Sequence, residues 1–286
     1  MGQKVVAWSD TTDRLVRTSK DPADIGTASS TGEAVNAGSE TVTNGATSKA
    51  ITFVNAFSNT LYGVACQLVN IVDATVQYQP VTITAKSTSG FTGSWNAAAD
   101  SANYLLDFIA VDPCVSYRAG RAALSNSTNS QSFEMFLPGS NAIINQFHNT
   151  IDASPKFQPM TIVLQETTLD VLSMPQYSAQ WNTNPDSSNY AMEFVANNTA
   201  CSTIKSFITD VSNGATSASI SFPYFDIEST SYALVARFMN ITDNPITYQP
   251  ITITSKSVSA FTAKWNVPTD SANYKIEWIA NIVTTA

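Results

Sequence analysis

The heptapeptide YQPVTIT at residues 78–84 decides how this sequence folds, because it recurs as YQPITIT at residues 248–254. The offset between the two is 248 − 78 = 170 residues. Nearly the same offset, 213 − 44 = 169 residues, relates the pentapeptides NGATS at 44–48 and 213–217. Repetition of this kind indicates a chain built from several copies of one structural unit.

A third and more diverged copy lies between these two. It keeps FQP at 157–159, WN at 181–182 and DSSNY at 186–190. Its offset from the first copy grows from 158 − 79 = 79 to 181 − 95 = 86 residues, which indicates a seven-residue insertion around 166–175.

We therefore predict a short N-terminal arm, three tandem units and two connectors. The arm is residues 1–43, the units are 44–111, 126–198 and 213–281, and the connectors are 112–125 and 199–212. Each unit has the length of a small β-sandwich.

The residue types and their periodicity predict strands rather than helices. The chain has 14 Phe, 10 Tyr and 5 Trp, and no stretch shows the apolar period of a helix. Apolar residues alternate with polar ones in the segment that closes each unit. The apolar rows are Tyr104, Leu106, Phe108 and Ala110, then Tyr190, Met192, Phe194 and Ala196, then Tyr274, Ile276, Trp278 and Ala280.

The alternate positions are expected to form a face in contact with water, as in a half-buried sheet. They are Asp107, Glu193, Lys275 and Glu277. After the Gln-Pro words, Val81, Ile83 and Ala85 are expected to point inward and Thr82, Thr84 and Lys86 outward. The predicted fold class is all-β, with three tandem antiparallel β-sandwich repeats behind the arm.

The composition of the chain limits the classes of function that it can have. Charged residues make up 13% of the chain, while Ser and Thr occur 34 times each, so the surface is rich in hydroxyl groups. A net charge of −8 argues against nucleic-acid partners, which need a basic surface. The N-terminus lacks the pattern of a signal peptide, and no segment resembles a membrane span, so no membrane insertion is expected. These features predict assembly in a host cytoplasm and a place in a virus particle.

Neither catalysis nor a cofactor is expected. Cys66, Cys114 and Cys201 are an odd number without zinc-site spacing and are expected to be small buried apolar residues. His148 is the single histidine, and no glycine-rich phosphate loop or metal-binding cluster occurs. A glycosidase carboxylate pair stays open among 22 acidic residues, but no pair is singled out.

An Asn-x-x-Asp word recurs once in each unit, as Asn70 with Asp73, Asn149 with Asp152, and Asn240 with Asp243. Amide and carboxylate oxygens suit a sugar or a calcium ion. The other interpretation is a loop in which both side chains cap their own backbone. Two oxygen-bearing residues are too few for calcium, which takes six or more ligands.

At this point the units resemble H-type lectin domains, a family of small six-stranded sandwiches that trimerise and bind galactose-type sugars. The similar features are the aromatic segments at 53–57 and 222–225, the apolar strand at 61–69, the Gly-Phe pair at 90–91, and the closing words FIA at 108–110 and WIA at 278–280. The resemblance covers most of residues 44–281. It implies a trimer and a sugar site in the loop before the closing strand, where family members carry a histidine and a tyrosine.

No histidine occurs in the corresponding loops at 96–104, 182–190 and 266–274. They offer hydroxyl, amide and carboxylate groups instead, which can hydrogen-bond a sugar. The candidate ligand-binding residues are Asp100, Asn103, Tyr104, Asp186, Asn189, Tyr190, Asp270, Asn273 and Tyr274. In the structural alternative these residues form a turn, and the tyrosine heads the buried row.

The arm begins with a predicted hairpin over residues 4–18, followed by a Gly/Ser/Thr/Ala-rich stretch at 21–48. It resembles the N-terminal stretches of phage fibre and decoration proteins. It is expected to act as a flexible linker or as an anchor that orders on other virion proteins.

The combined prediction is a phage or virus structural protein, a fibre or capsid decoration subunit that displays lectin-like sandwiches toward surfaces or host glycans. A homo-oligomer is expected, with a trimer favoured by the family resemblance. Three units in one chain are also compatible with a pseudo-threefold cluster on their own. The alternatives are a lectin with no virion role, and a capsid cement protein that binds no sugar.

Overall fold

The computed structural model describes residues 8–9, 14–15, 35–112, 117–134, 142–165, 176–197, 204–222 and 232–282. These residues form strands and turns, so the all-β fold class is confirmed for them. Within the same ranges, no helix has the length and apolar character needed to cross a membrane.

The arm contains two short paired strands, β1 (Trp8–Ser9) and β2 (Arg14–Leu15). They are antiparallel, with Trp8 opposite Leu15. The hairpin predicted over residues 4–18 is therefore confirmed at these four positions. The other residues of the arm before Val35 lie outside the described part of the chain.

The remaining eighteen strands fall into three sets of six that follow the sequence repeats. The first set is β3 (Val35–Thr41), β4 (Ser48–Thr52), β5 (Gly63–Val69), β6 (Thr82–Ser87), β7 (Gly90–Ser94) and β8 (Leu105–Val111). The second is β9 (Tyr117–Ala123), β10 (Ser130–Glu134), β11 (Ile143–His148), β12 (Thr161–Gln165), β13 (Gln176–Gln180) and β14 (Ala191–Asn197). The third is β15 (Ile204–Asp210), β16 (Ser217–Ser221), β17 (Tyr232–Met239), β18 (Thr252–Lys256), β19 (Ala260–Lys264) and β20 (Lys275–Ile282).

No repeat keeps its six strands to itself, because every sheet joins three strands of one repeat to three of another. The sheet orders are β16-β19-β18-β5-β8-β3, β4-β7-β6-β11-β14-β9 and β10-β13-β12-β17-β20-β15. The halves meet through the parallel pairs β18 with β5, β6 with β11, and β12 with β17. Since the third repeat joins back to the first, the chain closes into a ring with pseudo-threefold symmetry. We call the three parallel junctions seams.

Each repeat begins earlier than the sequence boundaries at 44, 126 and 213 suggest. The strands β3, β9 and β15 lie in the segments assigned to the arm and connectors, and they pair with β8, β14 and β20. β3 (VNAGSET) and β9 (YRAGRAA) are poor in large apolar residues, so the periodicity alone did not mark them, whereas β15 (IKSFITD) contains Ile204, Phe207 and Ile208 and was nevertheless assigned to a connector. Pairing with the closing strand stabilises them as sheet edges.

The hydrophobic core consists of three outer clusters and one central cluster. Trp95, Trp181 and Trp265 are buried, one in each outer cluster, and each cluster draws on strands of two sheets. Each outer cluster is therefore enclosed between two sheets. The central cluster takes residues from all three repeats, including Ala65, Ile144 and Val235.

The central cluster overturns the prediction of a wet face on the closing strands. Asp107, Glu193 and Glu277 are all 0% exposed. They share a strand face with Ile109, Val195 and Ile279, which belong to the central cluster. The closing strands are therefore buried on both faces, because the other repeats cover the face that a single sandwich would leave in water. Lys275, at the strand end, is half-buried.

The inward and outward assignment of β6 is also wrong beyond Ile83. A register shift between Ile83 and Ala85 marks a β-bulge, which reverses the alternation. Ala85 is consequently exposed, whereas the Lys86 ammonium is directed inward. Thr82, expected to point outward, is fully buried and donates its hydroxyl proton to the Lys156 carbonyl across the seam (3.4 Å).

Two seams contain a buried ion pair. Lys86 Nζ lies 2.8 Å from Glu193 Oε1, and both side chains are almost entirely buried. At the equivalent place in the next seam, Lys256 binds Asp107. Each carboxylate also accepts a backbone proton from across its seam, Glu193 from Val64 (3.3 Å) and Asp107 from Leu234 (2.9 Å).

His148 completes the first of these pairs. Its Nε2 lies 3.1 Å from Arg121 Nη1, and arginine can only donate, so the ring proton is on Nδ1. That nitrogen lies 2.9 Å from Glu193 Oε1. Burial acts to raise the pKa of Glu193, but the close contact with His148 and the Lys86 charge outweigh it and leave the pKa below its usual value.

The third seam is different. Glu277 occupies the place of Glu193 and Asp107, but among the described residues neither of its carboxyl oxygens has a hydrogen-bond partner. Burial raises the pKa of Glu277 well above its usual value, and the nearby Ile143 amide opposes this only weakly. Among the described residues, Glu277 therefore makes no ionic contact in this seam.

The prediction for the cysteines is confirmed for Cys66, which is fully buried with an unpaired thiol. Burial raises the pKa of the Cys66 thiol to about 12. Cys114 and Cys201 lie outside the described residues, as does the predicted insertion at 166–175, which falls between β12 and β13.

Replacement of Lys86 by Met should strongly destabilise the protein, because it leaves Glu193 buried without its cation. Breaking a buried pair in this way costs about 3–5 kcal/mol. The matched control is Lys49→Met, which breaks the exposed pair with Glu40 and should cost at most about 1 kcal/mol. Urea unfolding of both variants measures the difference; equal small losses would mean that the seam pair contributes little.

Candidate functional site

The Asn-x-x-Asp words form tight turns at the ends of β5, β11 and β17. In the first repeat, Asn70 Oδ1 accepts the backbone protons of Val72 (3.1 Å) and Asp73 (3.0 Å), while Asn70 Nδ2 donates to Asp73 Oδ2 (2.7 Å). The side chains of Asn70, Asn149 and Asn240 are buried, and the second and third turns have the same hydrogen bonds. Of the two interpretations of this motif, the structure shows the backbone cap.

These turns lie at the seams. The backbone N–H of Asn70 donates to the Ile253 carbonyl (2.9 Å), that of Asn149 to Ile83 (2.8 Å), and that of Asn240 to Ile162 (2.9 Å). Each bond joins one repeat to another. The turn geometry and the junction between repeats are therefore coupled through one residue.

The loop before the closing strand is bound to the same turn. Asp73 accepts protons from Ser101 Oγ and from Asn103 Nδ2, the latter at 2.6 Å. The equivalent contacts are Ser187 and Asn189 to Asp152, and Ser271 and Asn273 to Asp243. We call each such pair of segments a loop brace: residues 70–73 with 100–104, 149–152 with 186–190, and 240–243 with 270–274.

The hydrogen bonds of the brace favour the charged form of its aspartate. The pKa of Asp73 is held below its usual 3.8 by the Ser101 hydroxyl first, then by Asn70 and Asn103. The pKa values of Asp152 and Asp243 are lowered by the equivalent donors, with Ser187 and Asn240 respectively making the largest contribution. The aspartate is thus the acceptor at the centre of each brace.

The candidate tyrosines are part of the core. Tyr104, Tyr190 and Tyr274 are buried in the outer clusters, and their hydroxyl oxygens accept backbone protons from Gln77 (2.6 Å), Lys156 and Thr247 (2.7 Å). Their rings are consequently not available as a face on which a sugar could stack. These positions agree with the structural alternative, in which the tyrosine is the first residue of the buried row.

The candidate aspartates and asparagines lie nearer the surface. Asp100, Asp186 and Asp270 are exposed, as are Asn103 and Asn273, while Asn189 is half-buried. The groups of each brace that are open to a ligand are therefore the carboxylate of the exposed aspartate (Asp100, Asp186 or Asp270) and the outer edge of the asparagine amide.

Exposed apolar side chains accompany these polar groups, a feature that the sequence analysis did not single out. The two middle positions of each Asn-x-x-Asp turn present Ile71 and Val72, Ile151, and Ile241, which are 47%, 68%, 71% and 47% exposed. The turn orients them outward because Asn and Asp face inward. Each copy has at least one aliphatic residue at the two middle positions of this turn, and this recurrence is the sequence signal that could have identified them.

A groove lies beside the third brace. It has a volume of about 660 Å³ and is lined by Val211, Ile241, Asn273 and Lys275, among others. Lys275 Nζ is paired with Asp210 Oδ1 at 2.8 Å at its edge. The first and second repeats carry Leu105 and Ala191 in the place of Lys275, so this charge is specific to the third copy. The groove thus combines an apolar side chain, an amide and a paired charge.

The braces should make stability fall in acid. A carboxyl group whose pKa is lower in the folded state stabilises the fold above its unfolded pKa, and this contribution is lost as pH falls through the folded pKa. The triple variant Asp73→Asn, Asp152→Asn and Asp243→Asn should therefore melt at a lower temperature than wild type at pH 7, with the difference shrinking below about pH 4.

Thermal unfolding by circular dichroism between pH 7 and pH 2.5 checks this expectation. Glu40→Gln is the control, since Glu40 is exposed and forms only a surface ion pair. A difference in melting temperature between the triple variant and wild type that stays constant over this range would contradict the role of the aspartates as ionised acceptors.

Comparison of the chain with protein-family models, with curated proteins and with solved structures finds no match. The function of the loop braces therefore has to follow from their own geometry and from the ring that carries them.

Proposed function

We propose that this protein is a non-catalytic structural component of a virus particle. Its N-terminal arm docks on other virion proteins, and its three H-type lectin-like sandwich units are displayed outward for attachment. The observation that carries the proposal is the closed ring of three shared sheets, which presents the same loop brace three times from one chain.

The arrangement of strands supports the lectin-like description of the units. Each repeat has six strands, the number in an H-type sandwich, and its two three-stranded halves enclose an outer hydrophobic cluster of their own. The repeats then associate edge to edge through the seams. In this proposal the three repeats of one chain take the places of the three subunits in the trimer that the family resemblance implies.

A trivalent body suits attachment because three weak contacts on one rigid particle act together. Linked sites bind with an effective concentration set by their spacing, and the combined affinity can exceed that of one site by about 10²–10⁴. The ring holds the three braces in fixed relative positions through the central cluster. Such a body needs an anchor, and the arm precedes the first strand of the ring.

The ring also supports a different state of association from the predicted homotrimer. Because the three seams are satisfied within one chain, we expect the body to be monomeric, with a mass of 30.7 kDa. Association through the arm then sets any higher order on the particle.

Deletion of residues 1–33 separates the two parts of the proposal, since it ends before β3 (Val35–Thr41) and spares the ring. The truncated chain should remain a folded β-rich monomer by sedimentation equilibrium and circular dichroism. It should be absent from purified particles produced with the truncated gene, whereas the full-length chain should be detected in particles by mass spectrometry.

Retention of the truncated chain on particles would instead favour a cement protein that binds through its sandwiches. A full-length chain that never copurifies with particles would reject the virion role. A trimer in solution that requires residues 1–33 would restore the homotrimer prediction.

A second function, glycan recognition, is favoured by the groove beside Asn273. Its amide, the exposed Ile241 and the paired Lys275 provide hydrogen bonds and an apolar surface of the kind that sugars use. In this role the host surface glycan is the ligand, and the third repeat is the principal binding unit.

A glycan array with the full-length chain tests this role. Sugar-dependent signal should appear and should fall at least tenfold in Asn273→Ala. The matched control is Asn103→Ala, which removes the same brace contact in the first repeat and should leave the signal unchanged. Equal loss in both variants would assign the effect to loop stability, and no signal from the wild-type chain would reject the lectin role.

A further inference from the structure

A small cavity lies where the three repeats meet. Its lining includes Gln67 from the first repeat, Asn145 and Gln146 from the second, and Arg237 from the third. The Gln-Pro words of all three repeats also contribute, through Pro80, Pro159 and Pro250. The space is about 10 Å³, which is enough for one small occupant.

The side chains around this cavity link the repeats in a cycle. Gln67 Oε1 accepts the backbone proton of Ala236 (2.7 Å), and Gln146 Oε1 accepts that of Cys66 (2.7 Å). Arg237 closes the cycle by donating from Nε to the Asn145 carbonyl (3.3 Å). Gln67, Gln146 and Arg237 are at equivalent positions of the sequence repeat. A cation therefore occupies the place where the other repeats have a neutral amide.

Arg237 has no described counter-ion. Its guanidinium donates to neutral carbonyls, Ala236 and Cys66 at 2.8 Å each, and forms no ion pair with any described carboxylate. Glu277 is its cross-strand neighbour but is not paired with it. A cation removed from water is costly unless a negative charge is supplied.

Asn145 gives the second, independent observation. Its side chain is 0% exposed and lines the cavity, yet within the described structure neither Nδ2 nor Oδ1 has a hydrogen-bond partner. The residues at the equivalent positions of the other repeats are Cys66 and Ala236, whose side chains contain no amide group. A buried amide without partners requires an occupant that can accept its proton.

We propose that this cavity is a binding site for one monatomic anion, chloride in ordinary buffers, held between the Arg237 guanidinium and the Asn145 amide. The anion supplies the negative charge that Arg237 lacks and the acceptor that Asn145 Nδ2 lacks. The site ties the third repeat to the second at the centre of the ring.

Bromide provides a direct test, because its anomalous scattering identifies it in a crystal. Crystals of the full chain soaked in sodium bromide should show one anomalous peak in the cavity within about 3.5 Å of Arg237 and Asn145 Nδ2. Density without anomalous signal would identify a water molecule and overturn the proposal.

A solution test uses the repeat itself to design the variant. Arg237→Gln introduces the residue that Gln67 and Gln146 provide in the other repeats, so it is compatible with the ring. Wild type should melt about 2–4 °C higher in 0.5 M potassium chloride than in 0.5 M potassium gluconate, whose anion is too large to enter. The variant should lose this difference.

Glu277→Gln is the control, since it removes the carboxyl group of the residue opposite Arg237 on the neighbouring strand and should keep the chloride effect. A chloride effect of equal size in wild type and Arg237→Gln would overturn the anion site. So would loss of the effect in Glu277→Gln, because the dependence would then belong to the carboxyl group.

Discussion

The structure depends on the sharing of sheets between repeats. A three-stranded half-sheet leaves backbone donors and acceptors unpaired at its edge. Each seam satisfies one such edge with a parallel pair, and the buried faces of the closing strands then meet at the centre. The outer clusters and the loop braces follow from this arrangement, because the Asn of every brace is also a seam residue.

The three seams share a backbone arrangement but not their chemistry. Two combine a buried lysine with a carboxylate, whereas the third has Glu277 and a Thr161 hydroxyl, both without a described hydrogen-bond partner. The first has His148 in addition. The buried polar groups of the three seams therefore differ, although the strand arrangement is the same.

The loop braces show which features can be predicted from the local sequence. The hydroxyl, amide and carboxylate groups recur at fixed spacing, and their turn chemistry follows from the short polar side chains alone. Their connection to a second loop, Asp73 with Ser101 and Asn103, joins residues about thirty positions apart. In that contact the amide of Asn103, a candidate ligand-binding residue, donates its hydrogen bond within the protein. It leaves exposed the aliphatic side chains Ile71, Val72, Ile151 and Ile241.

The sequence by itself determined the all-β class, the threefold repetition and the buried aromatic row, because strand periodicity and repetition are local properties. Only the tertiary structure decided which faces of the strands are buried. Asp107, Glu193 and Glu277 look like surface residues within one repeat, and Lys86 changes face through a bulge that the sequence pattern does not reveal. Burial of these groups is created by contacts between repeats more than a hundred residues apart, such as Lys86 with Glu193, and no local pattern encodes such a partner.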